Sequence, residues 1–327
     1  MQDILSHLDL KEPGRAACVS KLCSAAVRPL APALAHYVTA GDAPAVRRLL
    51  QKPDGRLGLD NPSCDNGRTP LLVAAAGKAE IFAALLEAGA STEARDFKGY
   101  TALVMAAFCG HAAMVAALLA AGAAVEAEAL DGSRAIHYAA ENGCAATVEA
   151  LLAAGAALEA EDKEGFRPLH IAAAIGHTST VEALKAAGAA LEAEAKDGSR
   201  AIHFAAARGH ALTVEALLAA GAALEAEGGN SWRALHCAAY RGHALTAEAL
   251  LAAGAALEAE DKDGWRPLHC AAAEGHGPVL AKLVAAGADL AAATKAGETA
   301  LQLAQAGGHS GAVDAILAAG GEAAAGP

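Results

Sequence analysis

Apolar residues in this chain recur in short bursts at helical spacing, each burst closed by a glycine, and residues 165–188 show the unit. Gly165 stands where a tight turn needs a positive φ, and Pro168 follows at a position suited to the first turn of a helix. Leu169, Ala172 and Ala173 then fall on one helical face, and Gly176 stops that helix. His177 opens a second helix with Val181, Leu184 and Ala187 on one face, and Gly188 ends it. Ala189 to Glu194 runs extended to the next turn glycine, Gly198. The pattern predicts a turn, a short helix, a second short helix and an extended loop. Such a pair cannot bury its own apolar face, so copies must stack.

Copies are present along most of the chain. Arg-Ala-Ile-His or a close variant starts at Arg134, Arg167, Arg200, Arg233 and Arg266, and looser versions start at Thr69, Thr101 and Thr299. The steps between these eight starts are 32 once and 33 six times, which sets the architecture as a stack of repeats. A stack offers an extended surface and no deep pocket, so binding is the expected function. No Gly-x-x-x-x-Gly-Lys-Ser/Thr loop and no Gly-x-Ser-x-Gly elbow occurs, and the glycines recur with the repeat. No nucleophile–base set stands out, so no catalytic residue, metal ligand or cofactor is assigned.

Composition sharpens this picture. The chain is 54% hydrophobic, but alanine supplies the excess and aromatics make up only 3%, so small side chains let helices pack closely. The net charge of −12 argues against nucleic acid and anionic membranes as partners. Every long apolar stretch is broken by charge or glycine, so no membrane span is expected. The start, Met1-Gln2-Asp3, shows no secretory pattern. Seven scattered cysteines without a Cys-x-x-Cys pair read as reduced, mostly buried residues of a cytoplasmic or nuclear protein.

The unit Gly-x-(Thr/Arg)-Pro-Leu-His-x-Ala-Ala-x-x-Gly-His, followed by Val-x-x-Leu-Leu-x-x-Gly-Ala, resembles the ankyrin repeat over residues 65–320. Ala35-His36-Tyr37, Gly41-Asp42, Val46 and Leu49-Leu50 look like a degenerate first copy, which extends the expected array to 35–320. The resemblance implies an all-α solenoid of helix pairs with projecting β-hairpin-like loops. It implies that His137, His170, His203, His236 and His269, and the histidines of the Gly-His steps, hold turns by hydrogen bonds. It also implies a concave ligand-binding face. Nine of the eleven aromatic residues fall at positions of that face: Phe97, Tyr100, Phe166, Trp232 and Trp265 at hairpin tips, Tyr138 and Phe204 after the Leu-His step, and Phe108 and Tyr240 late in the first helix. With Arg208 and Arg241 they are the candidate contacts for a protein partner. The alternative for Tyr138 and Phe204 is packing against neighbouring repeats.

Five consecutive repeats carry arginine where the family has threonine. Each has a glutamate eight residues earlier: Glu126, Glu159, Glu192, Glu225 and Glu258. Two readings stay open: a ladder of structural ion pairs, or a stripe of arginines that grips an acidic partner. The doubled glutamates of Leu-Glu-Ala-Glu are expected to face water.

Residues 1–34 have another texture. Ile4-Leu5, Leu8-Asp9-Leu10 and Val19-Ser20-Lys21-Leu22 resemble the F-box. The expected leading Leu-Pro is missing, Gly14 stands where a leucine is usual, and Cys23 where tryptophan is common. That resemblance implies that Ile4, Leu5, Leu8, Leu10, Val19 and Leu22 dock the adaptor subunit of a cullin-based ubiquitin ligase, with the repeats holding the substrate. The competing reading is a helical cap on the open end of the stack. The sequence reading is a monomeric, non-enzymatic interaction protein, a ligase receptor or else a scaffold or inhibitor, with a disordered tail at 321–327.

Overall fold

The computed structural model describes residues 31–52, 58–62 and 66–324. The expected F-box contacts, Ile4 to Leu22, lie outside the described residues, as do 325–327. Among the described residues there are 18 α-helices and no strands, as the helix-pair reading predicts. The chain divides into two units, up to Lys163 and from Glu164 onward.

The first unit holds four helix pairs: α1 (Ala31–Ala40) with α2 (Ala43–Leu50), α3 (Pro70–Ala75) with α4 (Ala79–Glu87), α5 (Ala102–Phe108) with α6 (Ala112–Ala120), and α7 (Ala135–Asn142) with α8 (Ala145–Ala153). First helices pack on first helices down the unit, α1 on α3, α3 on α5 and α5 on α7. The second unit holds five pairs: α9 (Pro168–Ile175) with α10 (Thr178–Ala186), α11 (Ala201–Ala207) with α12 (Ala211–Ala219), α13 (Ala234–Arg241) with α14 (Ala244–Ala252), α15 (Pro267–Ala273) with α16 (Gly277–Ala285), and α17 (Ala300–Ala306) with α18 (Ser310–Ala324). Here both sets stack in sequence, α9 to α17 and α10 to α18.

Most of these helices are shorter than about 12 residues, too short to persist alone in water. Stacking supplies what they lack. Each repeat buries the same positions: Leu103, Ile136, Leu169, Ile202, Leu235 and Leu268 in the first helix, and Leu118, Leu151, Leu184, Leu217, Leu250 and Leu283 in the second. Paired alanines such as Ala205-Ala206 and Ala238-Ala239 are wholly buried, which lets first helices approach closely.

The connecting loops are turns closed by backbone bonds, for example Ala129 N to Ser133 O at 2.8 Å with Gly132 N to Ala129 O at 3.0 Å, and Asp261 N to Trp265 O at 2.9 Å with Gly264 N to Asp261 O at 3.1 Å. Several tips also bond to the preceding one, with Leu130 N donating to Lys98 O at 2.9 Å and Lys295 N to Asp263 O at 3.1 Å. Glycine at the tip is required twice over. At Gly264, φ is +75°, and a Cβ would lie 2.9 Å from Lys295 N. One loop breaks the rule: in 228–232 Ser231 occupies the glycine position at φ 59°, after Asn230 at φ 61°.

Candidate functional site

The first-helix caps show how the repeats are tied. Where threonine precedes the helix it caps it, as Thr101 Oγ1 accepts from Val104 N at 3.3 Å. Arginine cannot accept, and the histidine three residues on supplies the reciprocal bond, to the N–H of the cap residue itself. His203 Nδ1 accepts from Arg200 N at 3.0 Å, while its Nε2 lies 3.0 Å from Ala226 O in the following loop. A backbone N–H can only donate and a carbonyl can only accept, so these bonds fix the neutral ring with its proton on Nε2. His137, His170 and His269 repeat the arrangement, and His236 does so with Trp265 O as its Nε2 acceptor. The histidines of the Gly-His steps reach the other way: His210, His243, His276 and His309 donate from Nε2 to carbonyls of the preceding repeat at 2.9–3.1 Å.

Burial pushes His203, His210, His236, His243 and His269 below the usual imidazole range. The folded form therefore binds protons less readily than the unfolded form. Stability is fully present above the unfolded value of about 6.5 and is lost as pH falls through it toward the lower folded values. Urea midpoints measured at pH 8 and pH 5 should fall with pH. A midpoint that does not move would contradict this role for the histidines.

The Glu–Arg ladder is formed at Arg134, Arg200, Arg233 and Arg266. Arg134 pairs with Glu126 at 2.7 Å and Glu128 at 2.8 Å, and Arg266 with Glu258 at 2.6 Å and Glu260 at 3.0 Å. Arg200 and Arg233 make the same two pairs. The second glutamate of Leu-Glu-Ala-Glu, expected to face water, thus completes a clamp. Bonding to Arg134 holds the Glu128 carboxyl below its usual range. Each clamped arginine sits between two carboxylates, so this stripe does not offer free positive charge to an acidic partner. The first glutamate does more, because its other oxygen accepts a backbone N–H of the next repeat: Glu192 from Ala223 at 2.8 Å and Glu225 from Ala256 at 2.8 Å. Glu194→Gln should shift stability by less than about 0.5 kcal/mol, since exposed pairs contribute little. Glu192→Ala, which also strands a backbone donor, should cost about 1 kcal/mol. Equal effects in chemical denaturation would remove the stitching role.

The aromatic candidates divide into two groups. Tyr138, Phe204 and Trp232 are buried, at 4%, 3% and 7% exposure, and pack inside the stack. The Tyr138 hydroxyl donates to Asp131 at 2.8 Å, and its ring meets Tyr100 and Phe108 edge-on at 5.2 and 6.0 Å. Phe204 lies between Phe166 at 5.4 Å and His170 at 5.5 Å. Trp232 donates from Nε1 to Asp261 at 2.9 Å and packs on His236 and Tyr240. For these three the burial favours packing over partner contact. Phe97 is 71% exposed, and Tyr100, Phe108, Phe166, Tyr240 and Trp265 are partly exposed. Arg241 is exposed with its guanidinium 5.8 Å from the Tyr240 ring centre, and Arg208 is half-buried.

A family model for ankyrin repeats matches residues 33–129, 92–162, 136–227, 169–261, 202–294 and 235–325. The chain belongs to the ankyrin repeat family. No curated relative matches the sequence. Ankyrin repeats are protein–protein interaction modules, in general scaffolds rather than catalysts. Among the described residues no group of three or more His, Cys, Asp or Glu is placed to hold a metal ion, and no helix is long and apolar enough to cross a membrane. The described cysteines are free thiols, and burial pushes Cys237 up to about 12 and raises Cys270.

Proposed function

We propose that the array holds protein partners on the faces that each unit makes from its own first helices and hairpin tips. In the first unit the contacts are Phe97, Tyr100 and Phe108; in the second, taken by itself, they are Phe166, Arg208, Tyr240, Arg241 and Trp265. The observation that carries this reading is the division of a scarce residue class. In a chain with eleven aromatics, Tyr138, Phe204 and Trp232 are spent on packing, while rings beside them remain open to solvent. Exposed rings next to arginine are the usual anchors of protein interfaces. Affinity capture with mass spectrometry tests it. The variant Phe97→Ser/Phe166→Ser/Trp265→Ser should keep the wild-type circular dichroism and lose the wild-type partner set. An unchanged set would refute the assignment.

The narrower role, substrate receptor of a cullin-based ubiquitin ligase, is supported by the F-box-like sequence of residues 1–34 alone. Full-length protein is expected to bind the ligase adaptor, and deletion of 1–34 to abolish that binding. Failure of the full-length chain to bind would leave the array as a scaffold or inhibitor.

A further inference from the structure

The last carbonyls of a helix have no partner inside it. In the second unit the following repeat supplies one. Nε2 of His210, His243, His276 and His309 meets Ala174 O, Ala207 O, Tyr240 O and Ala273 O, each in the last turn of the preceding first helix. Two of these carbonyls belong to turns that carry proposed partner contacts. Ala207 precedes Arg208, and Tyr240 precedes Arg241.

The other edge of each ring has a different neighbour. A Cβ built on Gly176, Gly209, Gly242 or Gly275 would lie 2.4–2.6 Å from Nδ1 of His210, His243, His276 or His309 in turn. The neutral ring, with its proton on Nε2, suits this geometry. A second proton, on Nδ1, would point at a glycine Cα instead of an acceptor. The surroundings are positive as well. His210, His243 and His276 are the N-cap residues of α12, α14 and α16, where the helix dipole disfavours a cation. Burial holds His210 and His243 below the usual imidazole range, against the pull of their carbonyl bonds. His243, His177 and Arg208 lower His210 further, and His276, Arg241 and Arg208 lower His243 further. Glu274, two residues before His276, is engaged by the Tyr240 hydroxyl.

We propose that this column of histidines makes the partner-contact turns of the second unit open in acid, so that Arg208, Tyr240 and Arg241 lose their neutral-pH arrangement. The linkage has a definite sign. Rings in an opened turn take up protons at the ordinary value, and stacked rings only at a lower one. The closed turns are therefore fully favoured above about pH 6.5 and lose ground as pH falls through it. An opening that frees two rings takes up two protons, which steepens the response. In the first unit, two of the equivalent steps carry other groups. Lys78 reaches the carbonyls of Val38 and Thr39, and Cys144 reaches that of Gly110. The proposal adds regulation to the reading of the array as a binding module, and its test needs no partner.

Hydrogen exchange on the full chain, corrected for the intrinsic effect of pH on exchange, reads the opening. Protection in 205–212 and 238–245 should fall by about threefold or more between pH 8 and pH 5, beyond any change in 76–80 and 142–146. His243→Gln/His276→Gln keeps a side-chain N–H for Ala207 O and Tyr240 O but takes up no proton, so it should abolish the difference. His203→Gln/His236→Gln, in the other set of histidines, should preserve it. A fall of equal size in all four segments is a general loss of stability and overturns the proposal. So does a fall that survives His243→Gln/His276→Gln, or one that His203→Gln/His236→Gln removes. Should the first variant already be open at pH 8, the wild-type imidazole decides by NMR. His243 titrating below about 6.5 supports the proposal, and at or above that value overturns it. Partner capture at pH 8 tests the binding face alone, so the two readings fail separately.

Discussion

Trp232→Ala is expected to cost the array about 3–5 kcal/mol, the range for removing a large buried aromatic. The ring is 7% exposed, its edge meets Tyr240 at 5.3 Å, and its Nε1 donates to the Asp261 carboxylate of the next repeat at 2.9 Å. Truncation opens a cavity and strips a partner from a buried acid. The same acid orders its own loop, with Asp261 Oδ1 accepting from Asp263 N and Trp265 N at 2.8 Å. The loss should therefore spread from 228–232 into 261–265. Hydrogen exchange should show faster opening of both loops, and urea unfolding should begin in this region. Trp232→Phe keeps most of the packing and should recover more than half of the loss. Trp265→Ala, at a half-exposed ring, should cost far less. A Trp232→Ala protein within about 1 kcal/mol of wild type would show that the ring is not part of the core.

His203→Ala is the second large effect, expected at about 2–5 kcal/mol. The ring is 3% exposed and joins Arg200 N to Ala226 O, both at 3.0 Å. Alanine leaves a part-buried donor and a buried acceptor without partners, the buried one worth about 1–3 kcal/mol. His203→Gln tests the mechanism. At position 302 a glutamine already performs the first half of this task, with Gln302 Oε1 accepting from Thr299 N at 2.8 Å. His203→Gln should thus retain part of the stability, and it should flatten the acid dependence contributed by this site. An alanine variant as stable as wild type, or a glutamine variant no better than alanine, would contradict the bridging role.

The same residues show what the sequence made legible. A 33-residue period and helical spacing around Leu169 and Val181 were enough for the helix pairs, because each copy repeats one local solution. The Glu–Arg pairing at spacing eight was visible for the same reason. The second glutamate, at spacing six, was copied as faithfully, but its role depends on how the loop folds back on Arg134 or Arg266. The sequence did not separate buried from exposed rings. Trp232 and Trp265 occupy equivalent positions, yet Trp232 sits behind the loop in which Gly228 replaces the usual acid and Ser231 replaces the usual glycine, and it finds Tyr240 within its own repeat. Leu212 and Leu245 differ from the equivalent residues of other repeats, but leucine on a helix reads as core, and their exposure is visible only in the structure.

Site-specific photo-crosslinking tests the central claim most directly. A photoreactive residue placed singly at Phe97, Phe166, Tyr240 or Trp265 should capture the partner in cells. The same residue at Glu149 or Glu182, exposed on the second helices, should capture little. Crosslinks that are as frequent from Glu149 and Glu182, or confined to them, would contradict a binding face built from the first helices and hairpin tips.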